Sequence, residues 1–269
     1  MNMNLFPGPA WRGPAWRGPA RRGLATLPGA LFLLMLLHPS GAAAEPSSEA
    51  ILKAADEARG SISGLVWQVA VESTENERVL DTLEYDINVR AFNVAGTSLA
   101  PPKYRGNKIL MLNTSMWFYK PGLSRPVPIS QRQKLMGDAS YGDIASTNYA
   151  EHYSATRLPD EVVDGEECYV FDLKALAGKV TYDRIVYWVS KQRQLGVKAD
   201  YLTVSGKKFK SASMEYANSV EFHGQRRPFL SRIALRGELL NGAVTYLQLR
   251  SPRIEPIPDH VFDLNLFMR

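Results

Sequence analysis

The chain is poor in the side chains that do chemistry or staple a fold. Its 269 residues hold one cysteine, Cys168, and four histidines. One cysteine excludes an intramolecular disulfide and a zinc site built on thiolates. Cys168 lies in the strand-like run Glu167-Cys-Tyr-Val-Phe-Asp-Leu, where an inert buried thiol is expected; a catalytic thiol wants a basic, partly exposed setting. His152, His223 and His260 stand apart, with no His-x-x-x-His or His-x-His spacing, and each reads as a surface or hydrogen-bonded group. There is no Gly-x-Ser-x-Gly elbow, and Ser205-Gly-Lys-Lys lacks the upstream glycine of a phosphate loop. Asp138, Asp143 and Asp183 all stand near turns, where aspartate serves the local backbone. No enzyme, cofactor or metal site is therefore expected. A zinc site or a Ser-His-Asp arrangement assembled only by folding stays open, and an envelope hydrolase would rest on His152 or His223.

Long apolar runs are missing too. Leu31–Leu37 (LFLLMLL) is far shorter than the roughly 20 residues a membrane span needs. Arg12, Arg17, Arg21 and Arg22 precede it, and Ala42-Ala43-Ala44 follows as a small-residue cleavage site before Glu45. Residues 1–44 thus read as an export signal, lengthened by the duplication Gly8-Pro-Ala-Trp-Arg and Gly13-Pro-Ala-Trp-Arg. No cysteine stands just after that site, so the mature chain itself is not expected to be lipidated. The whole chain has 32 Lys and Arg against 27 Asp and Glu, a formal charge of +5. Without the four leader arginines the balance is 28 to 27, and no clustered basic surface remains to bind nucleic acid.

Strand pattern is what the remaining residues have in quantity. One helix opens the mature part, capped by Ser47 or Ser48, with Ile51, Ala55 and Ala58 on one face and Gly60 stopping it. In 65–72, Leu65, Trp67, Val69 and Val71 alternate with polar or small residues, a half-buried strand. The style continues over 82–94. Residues 108–119 read as a long strand or hairpin with Leu110, Leu112, Met116 and Phe118 on one face and Asn113, Ser115, Trp117 and Tyr119 on the other. Strands are then predicted over 168–173, 184–190, 196–204, 211–221, 232–239 and 243–250, separated by Asp164-Gly165, Ser205-Gly206 and Asn241-Gly242 turns. Such a series indicates one domain over 45–269, mainly β with few helices, forming an open or closed antiparallel barrel. Residues 131–148 break the alternation; they read as short helical turns around Gly137 and must lie across a face or mouth of the sheet. Asp259–Phe262 reads as a final short helix.

Large apolar and aromatic residues crowd these strands, among them Trp67, Trp117, Phe118, Tyr187, Trp188 and Tyr201. A curved sheet with few helices has difficulty covering its concave face, and an uncovered apolar face is a lipid-sized pocket.

The segment from Pro101 to Ile144 carries a resemblance. A Gly before the strand (Gly106), a Trp-x-Tyr-x-Pro strand end (Trp117, Tyr119, Pro121), an Ile-Ser (Ile129, Ser130) and a Gly-x-x-Ser leading to Asp (Gly137, Ser140, Asp143) resemble the outer-membrane lipoprotein-sorting protein family, whose members are similar to the carrier LolA. The resemblance implies an incomplete antiparallel β-barrel of LolA/LolB type with helices over its concave face. It also implies a periplasmic location and a cargo of lipid or lipoprotein acyl chains, passed from an inner-membrane lipid exporter or to an outer-membrane acceptor. From strand alternation, the apolar cavity is expected to be lined by Trp67, Val69, Leu110, Leu112, Met116, Phe118, Tyr187 and Tyr201. Residues 131–148 are expected to form a movable cover, with Met136, Gly137, Tyr141 and Asp143 at the mouth. The competing expectation is a ligand-free accessory subunit of an envelope complex, such as an exporter of the resistance–nodulation–division type.

Overall fold

The computed structural model describes residues 45–145, 148–176, 179–238 and 242–268. The export signal read over 1–44 lies outside the described residues, as do Ser146 and Thr147 of the non-alternating segment and Asn241 of the Asn-Gly turn.

Helix α1 (Ser48–Arg59) is built as its sequence dictates. Ser47 accepts a hydrogen bond from the Ala50 amide (3.2 Å), Glu49 stands in the first turn, and Gly60 closes the helix at a φ of +128°. Ile51, Leu52, Ala55 and Ala58 are buried as the stripe requires, but so are Asp56 and Arg59.

The chain then makes two meanders. The first is β1 (Leu65–Glu75), β2 (Arg78–Arg90), β3 (Asn93–Ala100), β4 (Lys108–Leu112), β5 (Ser115–Tyr119) and β6 (Val127–Ile129). A connection follows, carrying the small hairpin β7 (Lys134–Met136) and β8 (Ala139–Ser140), a 3-10 turn (Tyr141–Ile144) and the single turn α2 (Tyr149–His152). The second meander is β9 (Tyr153–Val163), β10 (Glu166–Ala175), β11 (Arg184–Ser190), β12 (Gly196–Leu202), β13 (Lys208–Glu215), the hairpin β14 (Asn218–Phe222) and β15 (Gln225–Phe229), β16 (Arg232–Gly237) and β17 (Ala243–Ile254).

Thirteen of these strands form one antiparallel sheet in the order β6-β5-β4-β3-β2-β1-β17-β16-β13-β12-β11-β10-β9. The last strand thus pairs with the first, and the two end strands, β6 and β9, do not pair with each other among the described residues. The barrel is therefore open. Because the chain leaves one end strand and re-enters at the other, the connection between β6 and β9 has to cross the sheet.

One face of the sheet forms the main core. Trp67, Val69 and Val71 of β1 stand beside Ile87, Tyr85 and Leu83 of β2, and Val69 and Val71 face Leu249 and Leu247 of β17. Ile51, Leu52 and Ala55 of α1 and Ile144 and Tyr149 of the connection pack on them in one cluster. The opposite face carries a smaller cluster, in which Phe262 and Phe267 of the C-terminal segment cover Ala95 and Leu110.

Three expectations need correction. Leu110 and Leu112 do not share a face with Met116 and Phe118: the two-residue turn at Asn113-Thr114 pairs Leu112 with Ser115 and Leu110 with Trp117, which reverses the parity of the alternation. The residues of β4 that face the main core are Ile109 and Met111. Around Gly137 the chain makes a β-hairpin rather than a helical turn, and the 3-10 turn comes only after it. The alternating style expected over 82–94 is interrupted at Ala91 (φ +51°), which turns β2 into β3.

Candidate functional site

The crossing connection lies on the main core face and is held there by polar pins. At its start, the buried Gln131 donates to the carbonyls of Thr114 (3.0 Å) and Lys179 (3.1 Å) and accepts from the Thr181 hydroxyl (3.1 Å). Arg132 donates through both Nη atoms to Asp183 (2.9 and 2.6 Å), the bidentate geometry that makes such pairs specific. At the hairpin tip, Gly137 has a φ of +52°, and a Cβ there would collide with the Thr245 hydroxyl. No other residue meets both conditions. The next amide, Asp138, donates to Thr245 Oγ1 (2.8 Å).

Asp143 is the strongest pin. Its carboxylate accepts from the Ser140 amide and hydroxyl (2.8 Å each), the Tyr182 hydroxyl (2.5 Å) and Lys210 Nζ (2.9 Å). Burial alone would raise its pKa; Lys210 and those donors outweigh burial and hold it below the usual carboxylate range. Lys210 also donates to the Asp138 carbonyl (2.9 Å), so one ammonium fixes two points of the connection. At its end, Asp56 of α1 accepts from the Ala150 amide (2.8 Å), and the Ser61 hydroxyl donates to Asn148 (2.5 Å).

Open space flanks the connection on both sides. A cleft of about 560 Å³ is bordered by Arg132, Lys134, Tyr182, Phe209, Lys210 and Gly237. A second, of about 480 Å³, lies between β5, β6 and Lys179-Val180, with Met116, Trp117 and Ile129 on its walls. Beneath the connection, among the described residues, lie two small voids. One, of about 20 Å³, touches Arg59, Trp67, Val69, Ile144, Leu247 and Leu249. The other, of about 10 Å³, touches Arg59, Tyr149, Tyr182, Tyr201 and Leu235. Each holds about one water at most.

Of the residues expected in an apolar cavity, the structure brings Trp67, Val69, Met116, Phe118, Tyr187 and Tyr201 to one face. Trp67 and Val69 line the larger void, Tyr201 stacks on Tyr182 at 3.8 Å, and Phe118 meets Tyr141 edge-on at 6.2 Å. Tyr187 is fully buried under Tyr149. Leu110 and Leu112 are on the other face, beneath the C-terminal segment. Of the mouth residues, Met136 and Tyr141 are half-buried against the core, whereas Gly137 and Asp143 are anchors. Sequence reasoning missed Asp56, Arg59, Tyr182 and Lys210. For the first two a signal was present: Leu52, Ala55, Asp56 and Arg59 fall at i, i+3, i+4 and i+7, so the buried stripe of α1 runs straight through two charges.

Among the described residues no group of three or more His, Cys, Asp or Glu side chains is placed to hold a metal ion.

Comparisons with known proteins agree on the fold. A LolA superfamily protein from Nitrosomonas europaea is 28% identical, with a TM-score of 0.73 over 82% of this chain and 99% of that one. A DUF1329 family protein from Desulfovibrio piger (20% identity, TM-score 0.66, 81% and 96% covered) shares the fold. So does a domain from Vibrio parahaemolyticus assigned to outer membrane lipoprotein sorting (18%, TM-score 0.67, 82% and 98% covered). No curated protein matches the chain. A family model described as "-like: Uncharacterized protein" matches residues 97–269, more than half of the chain. The chain belongs to that family, and its open sheet with a covered inner face is LolA-like.

Proposed function

We propose that this protein is a non-enzymatic periplasmic carrier that holds a lipid, or the acyl chains of a lipoprotein, on the inner face of its sheet and passes it between envelope membranes. One observation carries the reading. The apolar face of Trp67, Val69, Leu247 and Leu249 is covered by a connection attached through separable polar pins, with open clefts on either side. Lifting that connection bares a surface for an acyl chain, and each CH₂ buried there contributes about 0.8 kcal/mol. The pins make the exchange reversible, since the cover competes with the cargo for the same face. The similarity to a LolA superfamily protein supports the reading, as does the export signal read over 1–44. Among the described residues no helix is long and apolar enough to cross a membrane. The membrane partner would be an inner-membrane exporter or an outer-membrane acceptor.

The test is mass spectrometry of an organic extract from the protein purified without detergent from a bacterial periplasm. A stoichiometric lipid or acyl-bearing species is the expected result. A second reading, a ligand-free accessory subunit of an envelope complex, is favoured by the small size of the voids under the connection. A clean extract, together with no uptake of added lipid, decides for it.

A further inference from the structure

The inner side of α1 carries two charges in the middle of the apolar core. Asp56 and Arg59 are 3% and 5% exposed, on the same stripe as Leu52 and Ala55. Each keeps a buried polar atom without a partner, although Asp56 Oδ2 accepts from the Ala150 amide. Arg59 Nη1 reaches the Tyr187 hydroxyl only at 3.5 Å and Asp56 Oδ1 only at 3.9 Å. Arg59 Nε and Asp56 Oδ1 have no hydrogen-bond partner. Packing alone gives no reason to bury a guanidinium with open donors, because desolvating them is costly.

The position of Arg59 supplies a reason. It borders both voids beneath the connection, next to the apolar wall of Trp67, Val69, Leu247 and Leu249 in one and next to Tyr149 and Tyr201 in the other. Its guanidinium lies 4.1 Å over the Tyr149 ring, a residue of the connection itself. Its carboxylate partner, Asp56, stands at 3.9 Å and already accepts from the Ala150 amide. Asp143, which also borders both voids, is already paired with Lys210. Burial pushes the Asp56 carboxyl up to about 7, with Arg59 and the amides of Ala150 and Tyr149 drawing it back. Near neutral pH a share of the Asp56 side chains is therefore protonated and does not balance the cation.

We propose that Arg59 is an internal headgroup anchor: when the connection lifts, its guanidinium receives the carboxylate or phosphate of an anionic single-chain lipid whose acyl chain lies along Trp67, Val69, Leu247 and Leu249. The proposal rests on the carrier reading and narrows its cargo from any acyl chain to one with a negative head. A planar fork of donors fits either oxyanion bidentately, and the displaced Tyr149 ring vacates the space the head needs. The apolar wall binds any acyl chain; Arg59 selects among heads.

The experiment measures binding of palmitate, 1-palmitoyl lysophosphatidic acid and neutral 1-monopalmitoylglycerol to the lipid-stripped protein and to Arg59→Met. The expected result is that one or both anionic lipids bind at least about tenfold more tightly than the neutral one, as a charged hydrogen bond provides. The tighter of the two names the head. Arg59→Met removes the preference, so that the anionic lipids bind it no more tightly than monopalmitoylglycerol. Equal binding of all three lipids to the parent protein overturns the anchor and leaves the carrier standing. Binding of none overturns the carrier reading itself. Should Arg59→Met fail to fold, the parent protein loaded with [1-¹³C]palmitate gives the answer. A carboxyl carbon titrating at lower pH than in detergent micelles supports the ion pair, and one titrating at higher pH overturns it.

Discussion

Asp143 takes four hydrogen bonds from three side chains and one amide while its side chain is 5% exposed, so its removal or that of Lys210 should be among the costliest single changes in the molecule. Lys210→Met leaves a carboxylate buried without its cation. Breaking a buried pair in this way costs about 3–5 kcal/mol, readable from urea unfolding at pH 7. The loss should shrink in acid: the Asp143 pKa is lowered in the fold, so its stabilisation is present above the ordinary carboxylate pKa and disappears as pH falls through the folded value. Asp56 has the opposite sign. Facing Arg59 of its own helix and Tyr149 and Glu151 of α2, its carboxyl is raised to about 7 in the fold, mainly by burial. Its contribution is therefore complete below pH 4 and lost as pH rises through about 7. Asp56→Asn is expected to raise the Tm at pH 8 relative to the parent and to flatten the decline between pH 5 and pH 8. An unchanged decline would place the titrating group elsewhere. Neither role is legible residue by residue, because an aspartate near a turn and an Asp-x-x-Arg on a helix look the same in sequence whether they are solvated or buried.

At the scale of elements, α1 and most strands are legible because their signals are local: a Ser cap, a closing Gly, alternation of period two. β9 is not. Its residues are mostly exposed along an end strand, Arg157 pairs with Asp160 and Glu45, and no apolar face marks it. The hairpin of β4 and β5 shows a different failure, in which both strands were legible and their shared face was not. A two-residue turn pairs even with odd positions, so Leu110 and Leu112 stabilise the far side, with Phe262 and Phe267. Leu110→Ala should cost about 2–5 kcal/mol, as a fully buried leucine does, and leave lipid affinity of the folded fraction unchanged. Met116→Gln, which sets an amide on the inner face of the sheet, should lower that affinity. Titrating both variants with one fluorescent fatty acid compares them; if Leu110→Ala lowers affinity as much as Met116→Gln, the two faces have been assigned the wrong roles.

For the whole molecule, topology decides what the residues cannot. Two meanders share one sheet, the first ending at β6 and the second starting at β9 on the opposite end, so residues 130–152 have to span the face between them. That much follows from a break in alternation between two runs of strands. What the sequence does not contain is how firmly the crossing chain sits, because the pins come from distant positions: Thr245, Lys210, Tyr182 and Asp56. If the protein carries lipid as proposed, it has to exchange its cover for its cargo, and that is measurable. Saturating the protein with lipid should speed hydrogen exchange over 131–145 while β1, β2 and β17 keep their protection, since the sheet stays intact and only the connection is displaced. Gly137→Ala, which pushes a methyl into Thr245 and disfavours the positive φ, should produce part of the same change without lipid and should hasten lipid uptake. If full loading instead leaves exchange over 131–145 as slow as in the empty protein, the cargo does not lie under the connection, and the two clefts beside it become the place to look.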